Sequence, residues 1–164
     1  GTSDVVLDST YPIYLFKFYN IHPADNAVDF RFQVNAAGGS GYNENITSTG
    51  FMSHHYENDS STNVAYTTAY DQAQGSSPQI ICENVGNQAD ESCAGELWLF
   101  GLSSTTYVKH FMARFNLYAQ SDYTGDHFTG GYINNTAAID EVQFTFESGN
   151  IDAGTFKLYG IKDS

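Results

Sequence analysis

Four side chains carry the pattern best suited to recognising another molecule. Tyr42 and Asn43 lie in a glycine-rich stretch, and Tyr123 and Asp126 lie in a polar one. A tyrosine ring stacks on the C–H face of a pyranose while amides and carboxylates fix its hydroxyls, so these residues point to sugar contact. Tyr70 and Trp98 belong to the same chemical class, but Trp98, flanked by Leu97 and Leu99 on an alternating run, is expected to pack in a core. Hard oxygen ligands for Ca2+ occur at Asp122, Asp126, Asn134 and Asn135, and again at Asp25 and Asp29. None follows an EF-hand or other fixed spacing, so no metal site is expected and Ca2+ is the one ion the loops would suit.

Catalysis finds less to work with. Glycoside hydrolysis needs two carboxylates flanking one bond, and nothing in the spacing selects a pair from the 19 acidic residues. GxSxG and HExxH are absent, and Gly38-Gly39-Ser40-Gly41 precedes a polar stretch instead of opening a helix, so it does not cradle phosphate. His54 and His55 are adjacent, and on a strand they point to opposite faces. His22, His110 and His127 are far apart, so the histidines read as surface or hydrogen-bonded structural groups. No catalytic residue and no cofactor are expected, and the chain reads as a non-enzyme. Cys82 and Cys93 flank the turn-like Asn84-Val85-Gly86-Asn87-Gln88; they form either a disulfide clasping a hairpin or two buried thiols. Sequons stand at Asn45, Asn58 and Asn134, as an Asn- and Thr-rich chain produces by chance.

These side chains must be positioned by strands. In Val142, Phe144 and Phe146 the apolar residues recur every second position, with Glu141, Gln143, Thr145 and Glu147 between them. Period two puts one set in a core and the other in water. Strong strands are expected over 96–100, 107–117, 141–147 and 155–161. Residues 13–21 are apolar on both faces and predict a central strand covered on both sides. Residues 30–34, 47–56, 63–66 and 79–82 predict further strands. Stretches 36–45, 57–62, 71–78, 84–94 and 121–131 read as loops or turns, the last a long irregular excursion. The sum is an all-β, antiparallel sandwich of eight or nine strands, jelly-roll-like, forming one domain over 1–164.

Composition narrows the partners. The formal net charge of −13 arises from 19 acidic and 6 basic residues, and such a surface repels nucleic acid phosphates. Charged residues are 15% of the chain, against an average of about 25%. Hydroxyls and amides replace them, as on extracellular and virion β-proteins. No apolar stretch approaches the ~20 residues of a membrane helix, so no membrane insertion is expected. Gly1-Thr2-Ser3-Asp4 has neither initiator Met nor basic leader, as expected of a processed or trimmed product.

Three runs carry a resemblance: GELWLFGLSSTTYVKH from Gly95, GYINNTAAID from Gly131 and SGNIDAGTFKLYGI from Ser148. They follow an early Tyr11-x-x-Tyr14-x-Phe16-x-Phe18 strand and the phrase Ile21-His22-Pro23-Ala24. From about Tyr11 to Ile161 the chain resembles small structural proteins of marine tailed bacteriophages. The resemblance implies a component of the virion exterior, a capsid decoration or head-fibre module. It also implies contacts with other virion proteins and a homo-oligomer, with a trimer favoured. It transfers no catalytic residue and does not include the cysteines. The alternatives are a carbohydrate-binding module of a tail fibre that recognises host surface glycan, and a hydrolase of host glycans. The decoration module would bind through an apolar, aromatic face and present the stretches 38–45 and 121–130 outward.

Overall fold

The computed structural model describes residues 7–162; the Gly1 terminus lies outside them. The strands are β1 (Ile13–Pro23), β2 (Val28–Ala36), β3 (Ile46–Tyr56), β4 (Thr62–Tyr66), β5 (Gln72–Gly75) and β6 (Gln79–Val85). They continue with β7 (Ser92–Phe100), β8 (Lys109–Ala119), β9 (Tyr123–Ile133), β10 (Ile139–Phe146) and β11 (Ile151–Ile161). A single 3-10 turn, Thr68–Tyr70, interrupts them. Every strand pair is antiparallel. The expected all-β sandwich therefore forms, with eleven strands among the described residues where eight or nine were expected.

Two layers of unequal width face each other. The broad layer runs β11-β1-β7-β8-β9-β3, with β4 and β5 pairing successive parts of the far side of β3. The narrow layer is β10-β2-β6, joined to the broad one only where Val85 of β6 pairs Ala119 of β8. Period-two burial is cleanest on β8, where Phe111, Ala113, Phe115 and Leu117 point inward and His110, Met112, Arg114 and Asn116 point outward. Aromatic rings fill the space between the layers. Phe18 and Phe115 from the broad layer meet Phe30 of the narrow one at centroid distances of 5.6 and 5.8 Å. Edge-to-face geometry, as at Phe18–Phe30 (78°), adds to their burial.

Several expectations are corrected. β1 lies between β7 and β11; its inner face, Tyr14, Phe16 and Phe18, is buried throughout, whereas on its outer face Leu15 is buried and Lys17 and Tyr19 are exposed. The narrow layer covers one side of the broad one, and nothing among the described residues covers the other. The stretch 121–131 is not an excursion: a turn at Ser121–Asp122 leads directly into the eleven-residue β9. Two of its glycines, Gly125 and Gly131, read as loop residues but are required by close packing. A Cβ on Gly131 would come within 2.4 Å of the Thr47 carbonyl oxygen and 2.9 Å of the Phe111 ring. The stretch 71–78 likewise contains β5, and β6 and β7 extend into 84–94.

The closing run SGNIDAGTFKLYGI is a structural device. Gly154 (φ 139°) sits against Ile21 at the bulge where the β1–β11 register shifts between Tyr19 and His22. A side chain there would be strained and would strike the Ile21 side chain at 2.5 Å.

Cys82 and Cys93 are free and buried. They do not clasp a hairpin: β6 pairs with β2 and β8, whereas β7 pairs with β1 and β8. The two thiols approach each other from different layers, and burial pushes that of Cys82 up, against reactivity. The intact protein should therefore have the same mass with and without reductant. A loss of about 2 Da without reductant would establish a bridge.

Candidate functional site

The uncovered outer face of the broad layer is formed by alternate residues of six strands, whose register lines them up in rows. One row reads Tyr159, Leu15, Trp98, Met112, Gly130 and Thr49. The next reads Lys17, Glu96, Arg114, Phe128, Phe51 and Tyr66. Large apolar side chains stay in water here: Phe51 is 46% exposed, Met112 55% and Tyr66 62%. Phe51 and Phe128 stack at 4.8 Å with rings within 9° of parallel, and the Arg114 guanidinium lies over Phe128 at 4.9 Å. Because Gly130 carries no side chain, Met112, Phe128, Phe51 and Tyr66 enclose an apolar cleft of about 290 Å³.

Beside it lies a polar cleft of about 560 Å³, lined by Lys17, Glu96, Arg114, Asn116 and Asp126. Arg114 donates two hydrogen bonds to Asp126, at 3.2 and 2.8 Å, and Lys17 faces Glu96 at 3.5 Å. Trp98 is on this face too, not in the core as expected. It stacks on Phe100 at 6.4 Å and donates from Nε1 to Glu96 at 3.0 Å. The position follows from the thinness of the sandwich: no third layer among the described residues covers the outward side of β7.

The four expected contact residues do not form one site. Tyr42 (φ 46°) and Asn43 lie in the loop that enters β3 at Ile46, beside Ile133 at the end of β9. Tyr123 is at the opposite end of β9, roughly 33 Å away at ~3.3 Å per residue. Tyr42 and Asn43 therefore do not share a surface with Tyr123. Tyr123 is 7% exposed, packs on Tyr56 at 5.0 Å and accepts a hydrogen bond from Asn84 Nδ2 at 2.9 Å. It is not a stacking platform, and Tyr70, fully buried, is not one either.

The Ca2+ candidates are engaged separately. Asp122 accepts from the Tyr118 hydroxyl, Asp126 from Arg114, Asp25 from Ser148 and Asp29 from Arg31. Asn134 donates to Gln74 and Asn135 to Glu44. Among the described residues, no three His, Cys, Asp or Glu side chains converge as a metal would require. None of their helices is long and apolar enough to cross a membrane.

Sequence reasoning missed a polar cluster between the layers, beside the free edge of β6. A pocket of about 300 Å³ is lined by Ala27, Asp29, Met52, Glu83, Asn84, Tyr123 and His127. His127 is 1% exposed; the Tyr70 hydroxyl is hydrogen-bonded to its Nδ1, and its Nε2 has no partner. Burial holds the imidazole at about 4, well below its usual value, so at neutral pH it carries one proton. Burial also raises the Glu83 carboxyl, with Asp29 adding to the effect. The local signal was faint because the pocket depends on a bulge: the β2–β6 register shifts on both sides of Phe30, and Asn84 takes φ 64°.

No protein-family model matches the chain, and no curated protein or solved structure shows significant similarity to it.

Proposed function

We propose that this chain is a non-enzymatic structural protein on the exterior of a tailed marine phage particle, a capsid decoration or head-fibre module that works by contact. The observation that carries the reading is the uncovered outer face of the broad layer. Exposed Phe51, Tyr66 and Met112 around one apolar cleft are what an interface needs and what an isolated monomer avoids. The phage-like runs support the same reading, because GELWLFGL supplies the middle of this face through Glu96, Trp98 and Phe100. Neighbouring virion proteins or further copies in a symmetric assembly, a trimer by preference, would cover it. The net charge of −13 disfavours nucleic acid.

The hydrolase alternative loses support in both clefts that hold two carboxylates: on the outer face Glu96 is paired with Lys17 and Asp126 with Arg114. Asp29 and Glu83 line a common pocket, but Asp29 accepts from the Asn84 backbone N–H at 3.1 Å and from Arg31 at 3.0 Å. It serves as a fixed counter-ion, which leaves one carboxylate where glycoside hydrolysis needs two. A glycan-recognition module is the second reading, favoured by the Phe51–Phe128 pair standing next to Arg114, Asn116 and Asp126. In that form the loop tyrosines are replaced by strand residues.

Quantitative mass spectrometry of purified particles against the major capsid protein tests the first reading. Hundreds of copies in fixed ratio to the capsid lattice are expected, and absence from the particle would sink it. Phe51→Asp and Met112→Asp should abolish incorporation while leaving the melting temperature within a few degrees, because both side chains are half exposed already.

A further inference from the structure

The broad layer ends differently at its two edges. Beyond β3 the edge is split between two short strands, β4 of five residues and β5 of four. At the other end stands β11, eleven residues long and, among the described residues, paired only with β1. From Thr155 to Ile161 its register against β1 is unbroken, so alternate residues there direct N–H and C=O groups away from the sheet. Soluble proteins blunt such an edge with charge, proline or a bulge. This run, TFKLYGI, holds one charge, Lys157, and no proline, and the bulge lies before it. Phe156 and Tyr159 stand exposed along it.

Backbone groups in this arrangement are matched by another extended strand, and the side chains say whose. No acidic residue occurs from Ala153 to Ile161 in a chain that has 19, so two copies that repel each other elsewhere approach here with least opposition. The run is also complementary to itself. In an antiparallel pair about a two-fold axis, the residue on the axis faces its own copy and its neighbours pair symmetrically. An axis at Leu158 overlaps the whole regular run: Lys157 faces Tyr159 of the second copy, Phe156 faces Gly160 and Thr155 faces Ile161. Lysine beside a tyrosine ring, on the outer side, is an attractive pair. On the inner side Phe156 meets a glycine over which that copy's own Tyr11 ring lies. An axis at Lys157 would set two lysines against each other, and axes at Phe156 or Tyr159 leave part of the run without a regular partner.

We propose that the free edge of β11 pairs with the β11 edge of a second copy, antiparallel about a two-fold axis at Leu158, and joins two broad layers into one continuous sheet. About six to eight backbone hydrogen bonds form across it, within the range an ordinary interface carries. A two-fold contact occupies both edges, so association through it closes at the dimer. The axis stands normal to the sheet, so both outer faces end on the same side. The two apolar clefts at Phe51 and Phe128 therefore stay open for the contact with the particle.

Sedimentation equilibrium of the intact chain, together with amide hydrogen exchange over 155–161, tests this. A dimer is expected, with slow exchange at the outward amides of β11. Tyr159→Lys sets a lysine against Lys157 on both sides of the axis. It should weaken the dimer at least about tenfold and quicken exchange in β11, with the circular dichroism unchanged because Tyr159 is half exposed. Adding Lys157→Glu to that variant should restore the dimer, since opposite charges then face each other at both places. A chain that stays monomeric at millimolar concentration, a trimer, or an assembly indifferent to Tyr159→Lys overturns the proposal. So does a double variant as weak as the single one. A monomer whose β11 amides exchange slowly would assign the edge to the chain's own residues 1–6 and overturn it equally. None of these outcomes bears on whether the protein is found in the particle, so the two proposals fail independently.

Discussion

Phe30→Ala should lower the unfolding free energy by about 4 kcal/mol, the largest effect of any single truncation in the core. Phe30 is fully buried and contacts five rings: Phe18, Phe115, Phe144, Phe146 and Phe156. Its strand, β2, is hydrogen-bonded only within the narrow layer, to β10 and β6. Three of its five partners belong to the broad layer. With a single residue pair joining the layers through the backbone, side-chain packing must hold them together. Removing the ring deletes its burial and leaves a cavity that rigid sheets close poorly. A domain of this kind has roughly 5–15 kcal/mol in total, so the loss is a large fraction of it. Urea denaturation of Phe30→Ala and Phe51→Ala reads the contrast. The half-exposed Phe51, on the outer face, should cost less than about 1 kcal/mol. Equal midpoints for the two variants would show that the layers are not held at Phe30.

The second large effect is acid sensitivity through His127. In the folded chain its imidazole titrates at about 4, and in the unfolded chain near 6.5. Burial is the cause, opposed by attraction from Asp126 and Asp29. As pH falls below 6.5 the unfolded chain takes up a proton that the folded chain refuses. The stabilisation is therefore complete above 6.5 and disappears as pH falls through the folded value. The difference between the two states corresponds to about 3 kcal/mol. Glu83 works the other way: its carboxyl is raised on folding, so its protonation favours the folded state as pH falls. The informative quantity is thus the difference between wild type and His127→Gln, whose amide oxygen can still accept from Tyr70. Between pH 7 and 4.5 the wild type should lose the larger amount of stability, and the variant's curve should be flatter. Parallel curves would mean that His127 is not held neutral by the fold.

Local alternation was legible wherever a strand had one wet face, as on β8 and β10, because period two is a property of the strand by itself. It established the fold class. It did not establish which faces are covered. Residues 13–21 are apolar on both sides, yet on the outer side of β1 Lys17 and Tyr19 are exposed and Leu15 is buried, because the narrow layer covers the inner side alone. Trp98 looked like a core residue and is an outer-face residue for the same reason. Tyr123, Asp126 and His127 read as parts of a polar loop, since Gly125, Gly130 and Gly131 imitate loop composition. Glycine in β9 instead answers to the close approach of neighbouring strands, which a single strand's residues do not reveal. Asp29 and Glu83 lie 54 positions apart and meet only because a bulge in β6 turns Asn84 onto Asp29. The sequence by itself determined the fold class and the strands that alternate, but not β5 or β9. Only the tertiary structure decided which side chains stay in water and which polar groups are buried together, because both depend on what packs across the gap from each strand.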